Sequence, residues 1–157
     1  MKYLVITFIL LVSFQGFSQD YYEEEEPNIA WLTDIEEAKT QSKETKKPII
    51  IYFTGSDWCG PCKMLKKDFF ASEKFEKIAE GLIMVKVDMP RRKDIITKEQ
   101  YQKNIGFVSL YNTSGGYPNL VALNAEGNII GSLSGYTLLR ETDKHFAFVE
   151  SVIENYQ

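Results

Sequence analysis

Two cysteines, three positions apart, carry the most reactive side chains of this sequence. Cys59 and Cys62 lie in the stretch SDWCGPCK, residues 56–63, and the chain of 157 residues has no other cysteine. Cysteine sulfur serves as a nucleophile, as a metal ligand or as half of a disulfide. The pair therefore allows four interpretations: a structural disulfide, a zinc site, a covalently attached haem, or a reversible dithiol and disulfide.

Three of these interpretations fit the surrounding sequence poorly. A disulfide that closes so short a loop restrains the unfolded chain little, by about 2 kcal/mol in the loop-entropy treatment. A closed zinc site needs four ligands, and the rest of the chain offers a single histidine, His145, and no further cysteine. Covalent haem attachment needs histidine directly after the second cysteine, where this chain has Lys63. We therefore favour reversible dithiol chemistry and expect neither a metal nor another cofactor at the pair.

The residues around the pair suit a reactive thiol. Cys59 is expected at the mouth of a helix that follows the strand 49–53, where unpaired backbone N–H groups favour a thiolate over a thiol. Pro61 suits the first helical turn, in which its missing N–H costs nothing. Gly60 is expected to allow a close turn and to leave the Cys59 sulfur approachable. Cys62, one turn into the helix, is expected to be more buried and to resolve a mixed disulfide.

The elements that must position the pair alternate between helical and extended patterns. Thr33 and Glu36 have the spacing of a capping box at the start of the first helix. Ser72 is expected to cap a new helix where the helical region after Cys59 breaks. The apolar, β-branched runs 49–53 and 82–88 are typical of strands buried on both faces. The predicted helices cover residues 33–45, 60–79, 97–104 and 140–155, and the predicted strands cover 49–53, 82–88, 117–123 and 128–135.

This order of elements predicts an α/β fold with a mixed sheet. A strand, a helix and a second strand imply a right-handed crossover and two parallel strands. The residues Asn-Ala-Glu-Gly at 124–127 are a hairpin signal between the last two strands, which are therefore expected to be antiparallel. The segment 89–116 has the weakest pattern, and its role is left open.

The N-terminus has the layout of a secretory signal peptide. Lys2 precedes an uncharged apolar run from Tyr3 to Phe14, which is shorter than the roughly 20 residues that a membrane-spanning helix needs. We predict a signal peptide over residues 1–18, an acidic lead-in over 19–30 and one domain over 31–157. The chain is expected to be exported to a bacterial periplasm, with secretion as the alternative, and without stable membrane insertion after cleavage.

Charge narrows the classes of partner. The formal net charge is −4, and the longest basic block is Arg91-Arg92-Lys93. Proteins that bind nucleic acid or anionic membrane surfaces usually carry large basic patches or stripes. We therefore expect neither nucleic acid nor an anionic membrane surface as a partner.

The hexapeptide Trp58–Lys63, placed after an apolar strand, resembles the active-site motif of the thioredoxin superfamily residue for residue. Far along the chain, Gly116, Tyr117 and Pro118 precede a strand in a manner similar to the family's cis-proline loop. The segments FTGSDWC and VDMPRRK are most similar to exported bacterial thioredoxin-like proteins. The resemblance covers about residues 30–157 and implies a thioredoxin-like fold, in which helices cover both faces of a central mixed β-sheet.

The resemblance also implies the roles of the motif residues. Cys59 is the attacking cysteine and Cys62 the resolving cysteine of a catalytic pair. Trp58 is either a partly exposed contact for substrate or a residue packed against the first helix. The residues expected to support the active site are Trp58, Gly60, Pro61 and Lys63.

The second matching segment implies a substrate-binding loop. Pro118 is expected in the cis form opposite the cysteines, where it would keep a metal ion from settling on them. The Tyr117 backbone is expected to add an extended stretch of substrate as a further strand. Gly116 belongs to the same loop. A cis peptide bond before proline is the minority isomer, so this loop needs support from the rest of the fold.

The sequence departs from the family at the site of proton transfer. The family's buried aspartate, which accepts a proton from the resolving cysteine, aligns with Tyr52 or Phe53 in this chain. The lysine that usually faces it aligns with Met84. Lys86 lies two residues further along the same strand face and is a possible substitute.

The leading hypothesis is an exported thiol–disulfide oxidoreductase that reduces disulfides in periplasmic or secreted proteins. The Gly-Pro dipeptide between the cysteines resembles that of the reducing members of the family. A reductase outside the cytosol must be recharged, which implies a membrane protein that donates electrons as a partner. The alternatives are a disulfide oxidase or isomerase, a non-catalytic peptide-binding module, and a structural exported domain without exchange activity.

Overall fold

Five strands form one mixed sheet in the computed structural model, which describes residues 28–156. Across the sheet their order is β1-β3-β2-β4-β5. β1, β3 and β2 run parallel, whereas β4 pairs antiparallel with β2 and β5 pairs antiparallel with β4. The predicted mixed sheet with its closing hairpin is therefore confirmed. In chain order the strands are β1 (Trp31–Leu32), β2 (Ile49–Thr54), β3 (Ile83–Asp88), β4 (Asn119–Leu123) and β5 (Ile129–Ser134).

Helices connect the strands and cover the sheet. A π-helical turn over Lys66–Phe70 directly continues the helix that begins after Cys59. The Ser72 hydroxyl oxygen accepts the N–H of Phe75 at 3.2 Å, which confirms the predicted cap. No helix between residues 28 and 156 is long and apolar enough to cross a membrane. The α-helices of this part of the chain are α1 (Ile35–Thr45), α2 (Gly60–Leu65), α3 (Glu73–Ala79), α4 (Lys98–Tyr111) and α5 (Asp143–Asn155).

An apolar core lies on each face of the sheet, because β2 is buried along its whole length. On one face Ile50 and Tyr52 pack with residues of α2, the π-helical turn, α3 and α5. On the other face Ile49, Ile51 and Phe53 pack with residues of α1 and α4. A strand with both faces covered needs apolar residues at every position, which explains the continuous run at 49–53. The predicted placement of helices on both faces is confirmed.

The first helix is capped one residue later than the sequence pattern predicts. The N-cap is Asp34, whose carboxylate accepts the N–H of Glu36 at 2.9 Å. Thr33, the predicted cap, instead offers its backbone carbonyl to the Gln100 side chain at 2.9 Å. Asp34 also forms an ion pair with Lys103 of α4 at 2.8 Å. The prediction of Thr33 is wrong because aspartate is an equally good cap and gains a tertiary partner here.

The helix α4 is longer than the sequence pattern predicts. It ends at Tyr111 rather than near residue 104, although Gly106 is a poor helix former. The additional turns pack Phe107, Val108 and Tyr111 against the apolar face that α1 also covers. Tertiary packing of this stripe therefore outweighs the low helix propensity of the glycine.

Smaller differences have local causes. β4 begins at Asn119, because Pro118 has no N–H to give to the ladder. α5 begins at Asp143 rather than at Arg140, whose backbone is left-handed with φ of 56°. β1 has no signal in the sequence, since two residues are too few for an alternating pattern. The predicted signal peptide, residues 1–18, lies outside the described residues, as do residues 19–27 of the predicted lead-in.

Replacing Asp34 tests the assignment of the first cap. We expect Asp34→Ala to lower the free energy of unfolding by about 1 kcal/mol, because it removes the acceptor for the Glu36 N–H. Asp34→Asn keeps a capping oxygen and loses the charge that faces Lys103, so its cost should be smaller. Urea denaturation followed by circular dichroism measures the change.

Thr33→Ala is the matched control for this cap. It leaves the Thr33 carbonyl in place, so the free energy of unfolding should change by about 0.5 kcal/mol or less. A larger loss of stability for Thr33→Ala than for Asp34→Ala would contradict the assignment.

Candidate active site

Cys59 and Cys62 are joined by a disulfide at the start of α2. Cys59 is the N-cap residue, and its sulfur accepts the backbone N–H of Cys62 at 3.2 Å. A sulfur in this position receives an N–H hydrogen bond and faces the positive end of the helix dipole, and both favour a thiolate once the disulfide is reduced. The two side chains are 3 % and 2 % exposed, so burial alone does not distinguish an attacking from a resolving sulfur.

Gly60 and Pro61 occupy the first turn of α2. Pro61 lies where a helix leaves N–H groups unpaired, so its ring removes no hydrogen bond. The backbone of Gly60 is not left-handed, and a side-chain carbon there would meet no atom beyond its neighbouring residues within 4 Å. Glycine therefore contributes open space beside the disulfide rather than a special backbone conformation.

The turn before Cys59 is built around Gly55. Its carbonyl accepts the N–H groups of Trp58 at 3.2 Å and of Cys59 at 2.8 Å. The next residue, Ser56, donates its N–H to the buried carboxylate of Asp88 at 2.9 Å. Gly55 also lies under the Trp58 indole, since a side-chain carbon at Gly55 would be 2.2 Å from Cε2 of that ring. Sequence analysis missed Gly55, which is the glycine that the motif sterically requires.

Trp58 connects the cysteine motif to the rest of the site. Its indole N–H donates to the Met89 carbonyl at 2.8 Å. The ring packs edge-on against Tyr117, with 5.4 Å between the ring centroids. The Arg91 guanidinium lies 4.9 Å from the centroid of the indole. Trp58 is partly buried, and these contacts bring together two segments that are far apart in the sequence.

The loop that contains Pro118 has the predicted backbone. The Tyr117–Pro118 peptide bond is cis, and the Pro118 carbonyl accepts the N–H of Gly135 at 2.8 Å. Tyr117 packs against the apolar cluster that includes both cysteines. The backbone N–H and carbonyl of Tyr117 are not used in a backbone hydrogen bond within residues 28–156.

Asn112 holds this loop through hydrogen bonds of its side chain. Its side-chain NH₂ donates to the Gly116 carbonyl at 3.0 Å, and its side-chain oxygen accepts the Asn119 NH₂ at 2.8 Å. Asn112 is 2 % exposed, so both bonds are shielded from water. Sequence analysis missed Asn112, because nothing in its local pattern distinguishes a buried amide from a loop asparagine.

Tyr52 is one of the two residues, with Phe53, that align with the family's buried aspartate. Its hydroxyl donates to the Cys62 carbonyl at 3.1 Å. Burial raises the pKa of Tyr52 above its ordinary value, so the phenol keeps its proton at neutral pH. Lys86 is paired with Tyr52 in the register of β2 and β3, on the same face of the sheet, and is partly exposed. Tyr52 therefore supports the helix backbone at Cys62 and does not take the place of a carboxylate base.

Asp57 and Lys63 flank the motif. The Asp57 carboxylate accepts the backbone N–H groups of Arg91 at 3.0 Å and Arg92 at 2.9 Å. Desolvation raises the pKa of Asp57, but these hydrogen bonds outweigh it and hold the pKa below its ordinary value. Lys63 is exposed and donates to the Asp57 backbone carbonyl at 3.3 Å. Asp57 thus ties the motif to the segment after β3.

Side chains that could hold a metal do not gather near the pair. Within residues 28–156 no group of three or more His, Cys, Asp or Glu side chains is placed to bind a metal ion. His145 is buried in α5, with ring centroids 5.6 Å from Phe69 and 5.4 Å from Tyr136. Burial lowers the pKa of His145, which favours its neutral form.

Known proteins resemble this chain in sequence and in fold. The family model described as Thioredoxin-like matches residues 30–125. Disulfide bond reductase DsbH of Chlamydia pneumoniae is 40% identical over 101 residues, which are 64% of this chain and 59% of that protein. Thioredoxin-related protein DsbJ of the same organism is 30% identical over 100 residues, which are 63% of this chain and 28% of that protein. The chain therefore spans less than two thirds of the length of either relative.

A solved structure described as DsbH oxidoreductase has the same fold. It superimposes with a TM-score of 0.69 and 29% sequence identity. The match covers 89% of this chain and 94% of that one. The thioredoxin-like fold predicted from the sequence is confirmed.

Replacing Gly55 tests how the indole is seated. We expect Gly55→Ala to displace the Trp58 ring, because the added carbon would lie 2.2 Å from Cε2. The free energy of unfolding should fall by about 1–3 kcal/mol. Urea denaturation measures this loss, and tryptophan fluorescence of the folded protein should change with the displaced ring.

Gly60→Ala is the matched control in the same segment. A side-chain carbon at Gly60 meets no atom within 4 Å, so stability should stay within about 0.5 kcal/mol of the starting protein. If the two alanine variants were equally stable, the close packing of Trp58 on Gly55 would be refuted.

Proposed function

The chain belongs to the thioredoxin-like family, and from this premise we propose that it is a thiol–disulfide oxidoreductase that reduces disulfides in exported proteins. One observation carries the proposal: the Cys59–Cys62 disulfide lies at a helix start, and Trp58 beside it contacts the cis-proline loop at Tyr117. A disulfide with a purely structural role requires neither the N-cap position nor a neighbouring loop with unpaired backbone groups.

The proposed reaction begins with reduced Cys59. Its thiolate attacks one sulfur of the substrate disulfide, and the other substrate sulfur leaves as a thiolate. Cys62 then attacks the Cys59 sulfur in the mixed disulfide, which restores the Cys59–Cys62 disulfide and releases the second substrate thiol. Two electrons pass from the cysteine pair to the substrate. Cys62 supplies one of the two protons that the product thiols need, and the other, which Cys59 released when its thiolate formed, is taken up from solvent.

The N-cap position supports Cys59 as the attacking sulfur. The N–H of Cys62 points at this sulfur at 3.2 Å, and that hydrogen bond stabilises negative charge on it. Gly60 carries no side chain, and a carbon added there would meet no atom beyond its neighbouring residues within 4 Å, which supports approach of a substrate from this side. Cys62 lies within the first turn of the helix and has only to reach the neighbouring sulfur.

The cis-proline loop supports binding of extended substrate. Gly116, Tyr117 and Pro118 form the loop, and the Pro118 carbonyl is already occupied by Gly135. The unpaired backbone of Tyr117 is then the group that adds a substrate strand. In this arrangement affinity comes from main-chain hydrogen bonds, so the loop accepts many sequences.

We propose reduction rather than oxidation on two grounds: the dipeptide between the cysteines and the description of a relative. The Gly-Pro dipeptide resembles that of reducing members of the family, and the relative at 40% identity is described as a disulfide bond reductase. An oxidase or isomerase uses the same cysteine pair at a higher reduction potential. Equilibration of the protein with defined thiol–disulfide buffers separates these functions: a potential near that of disulfide isomerases would reject the reductase.

The proposal includes export and a partner in the membrane. Lys2 and the apolar run Tyr3–Phe14 support a signal peptide over residues 1–18, an acidic lead-in over 19–30 and a domain over 31–157. A reductase outside the cytosol needs reducing equivalents, so we propose a membrane protein as electron donor. Expressed in a bacterium, the protein should appear in the periplasmic fraction with the mass of residues 19–157. An uncleaved protein in the cytosolic fraction would reject export.

Replacing each cysteine separately with serine tests the proposed roles of Cys59 and Cys62. We expect Cys59→Ser to abolish disulfide reduction and to trap no partner, because the attacking sulfur is gone. Cys62→Ser should also stop turnover but accumulate mixed disulfides through Cys59, since nothing resolves them. Non-reducing electrophoresis and mass spectrometry identify the trapped proteins, and complexes in the membrane fraction reveal the donor.

A double variant, Cys59→Ser with Cys62→Ser, is the control. It separates catalysis from peptide binding, because a non-catalytic binding module would keep its affinity for extended peptides. Equal trapping by the two single variants would refute the division of roles.

A further inference from the structure

A groove of about 680 Å³ lies beside Trp58. Its walls are Trp58, the segment 89–93 and residues around the start of α4, among them Lys98 and Tyr101. The groove therefore belongs to the segment 89–116, for which the sequence offered no role. It begins at a residue of the cysteine motif, so it is continuous with the proposed active site.

The lining of this groove is strongly cationic. Arg91, Arg92, Lys93 and Lys98 contribute to it, and no Asp or Glu among residues 28–156 does. The carboxylate of Asp94 pairs with Arg92. Within residues 28–156 Lys93 and Lys98 form no ion pair. The positive charge is concentrated here although the chain as a whole has a formal net charge of −4.

Two carboxylates outside the lining contact its arginines and are already engaged. Asp57 accepts the backbone N–H groups of Arg91 and Arg92, and Asp94 pairs with Arg92. The guanidinium of Arg91 lies over the Trp58 ring, 4.9 Å from its centroid. Positive side chains held around a concave surface attract negatively charged groups and increase their local concentration.

The groove adjoins the place where a substrate strand is proposed to bind. Trp58 lines the groove and also contacts Tyr117, with 5.4 Å between ring centroids. A peptide held by the Tyr117 backbone with its sulfur at Cys59 would therefore lie close to the indole that forms one wall of the groove.

We propose that this groove, here called the basic groove, selects substrates that carry acidic residues on one side of the cysteine to be reduced. The inference rests on the proposed function as a thiol–disulfide oxidoreductase. It adds a substrate class, because backbone binding at Tyr117 does not by itself distinguish one sequence from another. Recognition depends on charge complementarity between the groove and the flanking carboxylates.

The test uses the reduced full chain and cysteine peptides as mixed disulfides with a chromogenic aromatic thiol. Cys59 attacks the peptide sulfur, and the aromatic thiolate leaves because its thiol has the lower pKa. Two series of peptides carry three Glu, three Gln or three Lys residues, either before or after the cysteine. The rate of release of the chromophore gives the second-order rate constant for each peptide.

We expect the Glu peptide to react about threefold to tenfold faster than the Gln peptide in one of the two series, and the Lys peptide to react more slowly. The advantage should shrink when the ionic strength is raised to about 0.5 M, because salt screens exposed charges. Equal rates for the three peptides in both series would overturn the proposal. Equal advantages in both series would also overturn it, since they would indicate long-range attraction rather than a groove.

Charge-matched variants locate the effect. Lys93→Gln with Lys98→Gln should bring the ratio of Glu to Gln rates close to one. Lys77→Gln with Lys144→Gln removes the same charge from exposed positions on α3 and α5, outside the groove, and should preserve the ratio. If the control pair lowered the ratio as much as the groove pair, net charge alone would account for the preference, and the basic groove would be rejected.

The chain's own acidic segment is a competing occupant. Residues 23–26 are four consecutive Glu, and replacing them with Gln in the full chain would raise the rates of Glu peptides if they filled the groove. Such a rise, together with equal rates for all peptides in the unchanged protein, would overturn the proposal in favour of an internal ligand. If the proposed thiol–disulfide activity itself were wrong, no peptide of either series would release the chromophore, so the two failures can be distinguished.

Discussion

The carboxyl ends of β2 and β3 are tied together, and the position of the cysteine pair depends on this constraint. Beyond the strand ladder, the Met89 N–H donates to the Thr54 carbonyl at 2.8 Å, and the Ser56 N–H donates to the Asp88 carboxylate at 2.9 Å. Asp88 is buried, so the loss of its partner would leave a desolvated charge. These bonds direct the chain into the turn at Gly55, whose carbonyl accepts the N–H of the first cysteine. The end of β3 thus helps to position Cys59, the N-cap of the helix α2 that follows β2.

The buried side chain that contacts the backbone of Cys62 is a phenol, that of Tyr52, and not a carboxylate. Tyr52 keeps its proton at neutral pH and uses it in a hydrogen bond to the Cys62 carbonyl. In a family in which an aspartate takes the proton of the resolving cysteine, this chain offers a fixed structural contact instead. In the proposed reaction the proton of Cys62 would therefore pass to solvent or to the departing substrate thiolate.

The sequence is informative where a few neighbouring residues determine the structure. The motif Trp58–Lys63 predicts the helix start at Cys59, and the motif around Pro118 predicts its cis peptide bond. The apolar run at 49–53 predicts a strand buried on both faces. Gly55 and Asn112 are different, because their importance arises from contacts that only the fold creates: an indole stacked on a glycine, and an amide between two loop segments. The end of α4 was unpredictable for the same reason, since packing on the apolar face of the sheet that α1 also covers outweighs a glycine within the helix.

The segment 89–116 contacts both parts of the candidate site, the cysteine motif through the end of β3 and the cis-proline loop. At its middle, within α4, the Asn104 side chain donates to the Asp88 carbonyl at 2.7 Å and so braces the end of β3 that positions the turn before Cys59. Just after α4 ends, Asn112 braces the cis-proline loop at Gly116. Both asparagines are buried, at 1 % and 2 % exposed, so the two hydrogen bonds are shielded from water. The helix α4 and the residue that follows it therefore connect the turn before Cys59 to the cis-proline loop. The same helix contributes Lys98 to the lining of the groove beside Trp58, so one segment contacts both parts of the candidate site and supplies charge next to it.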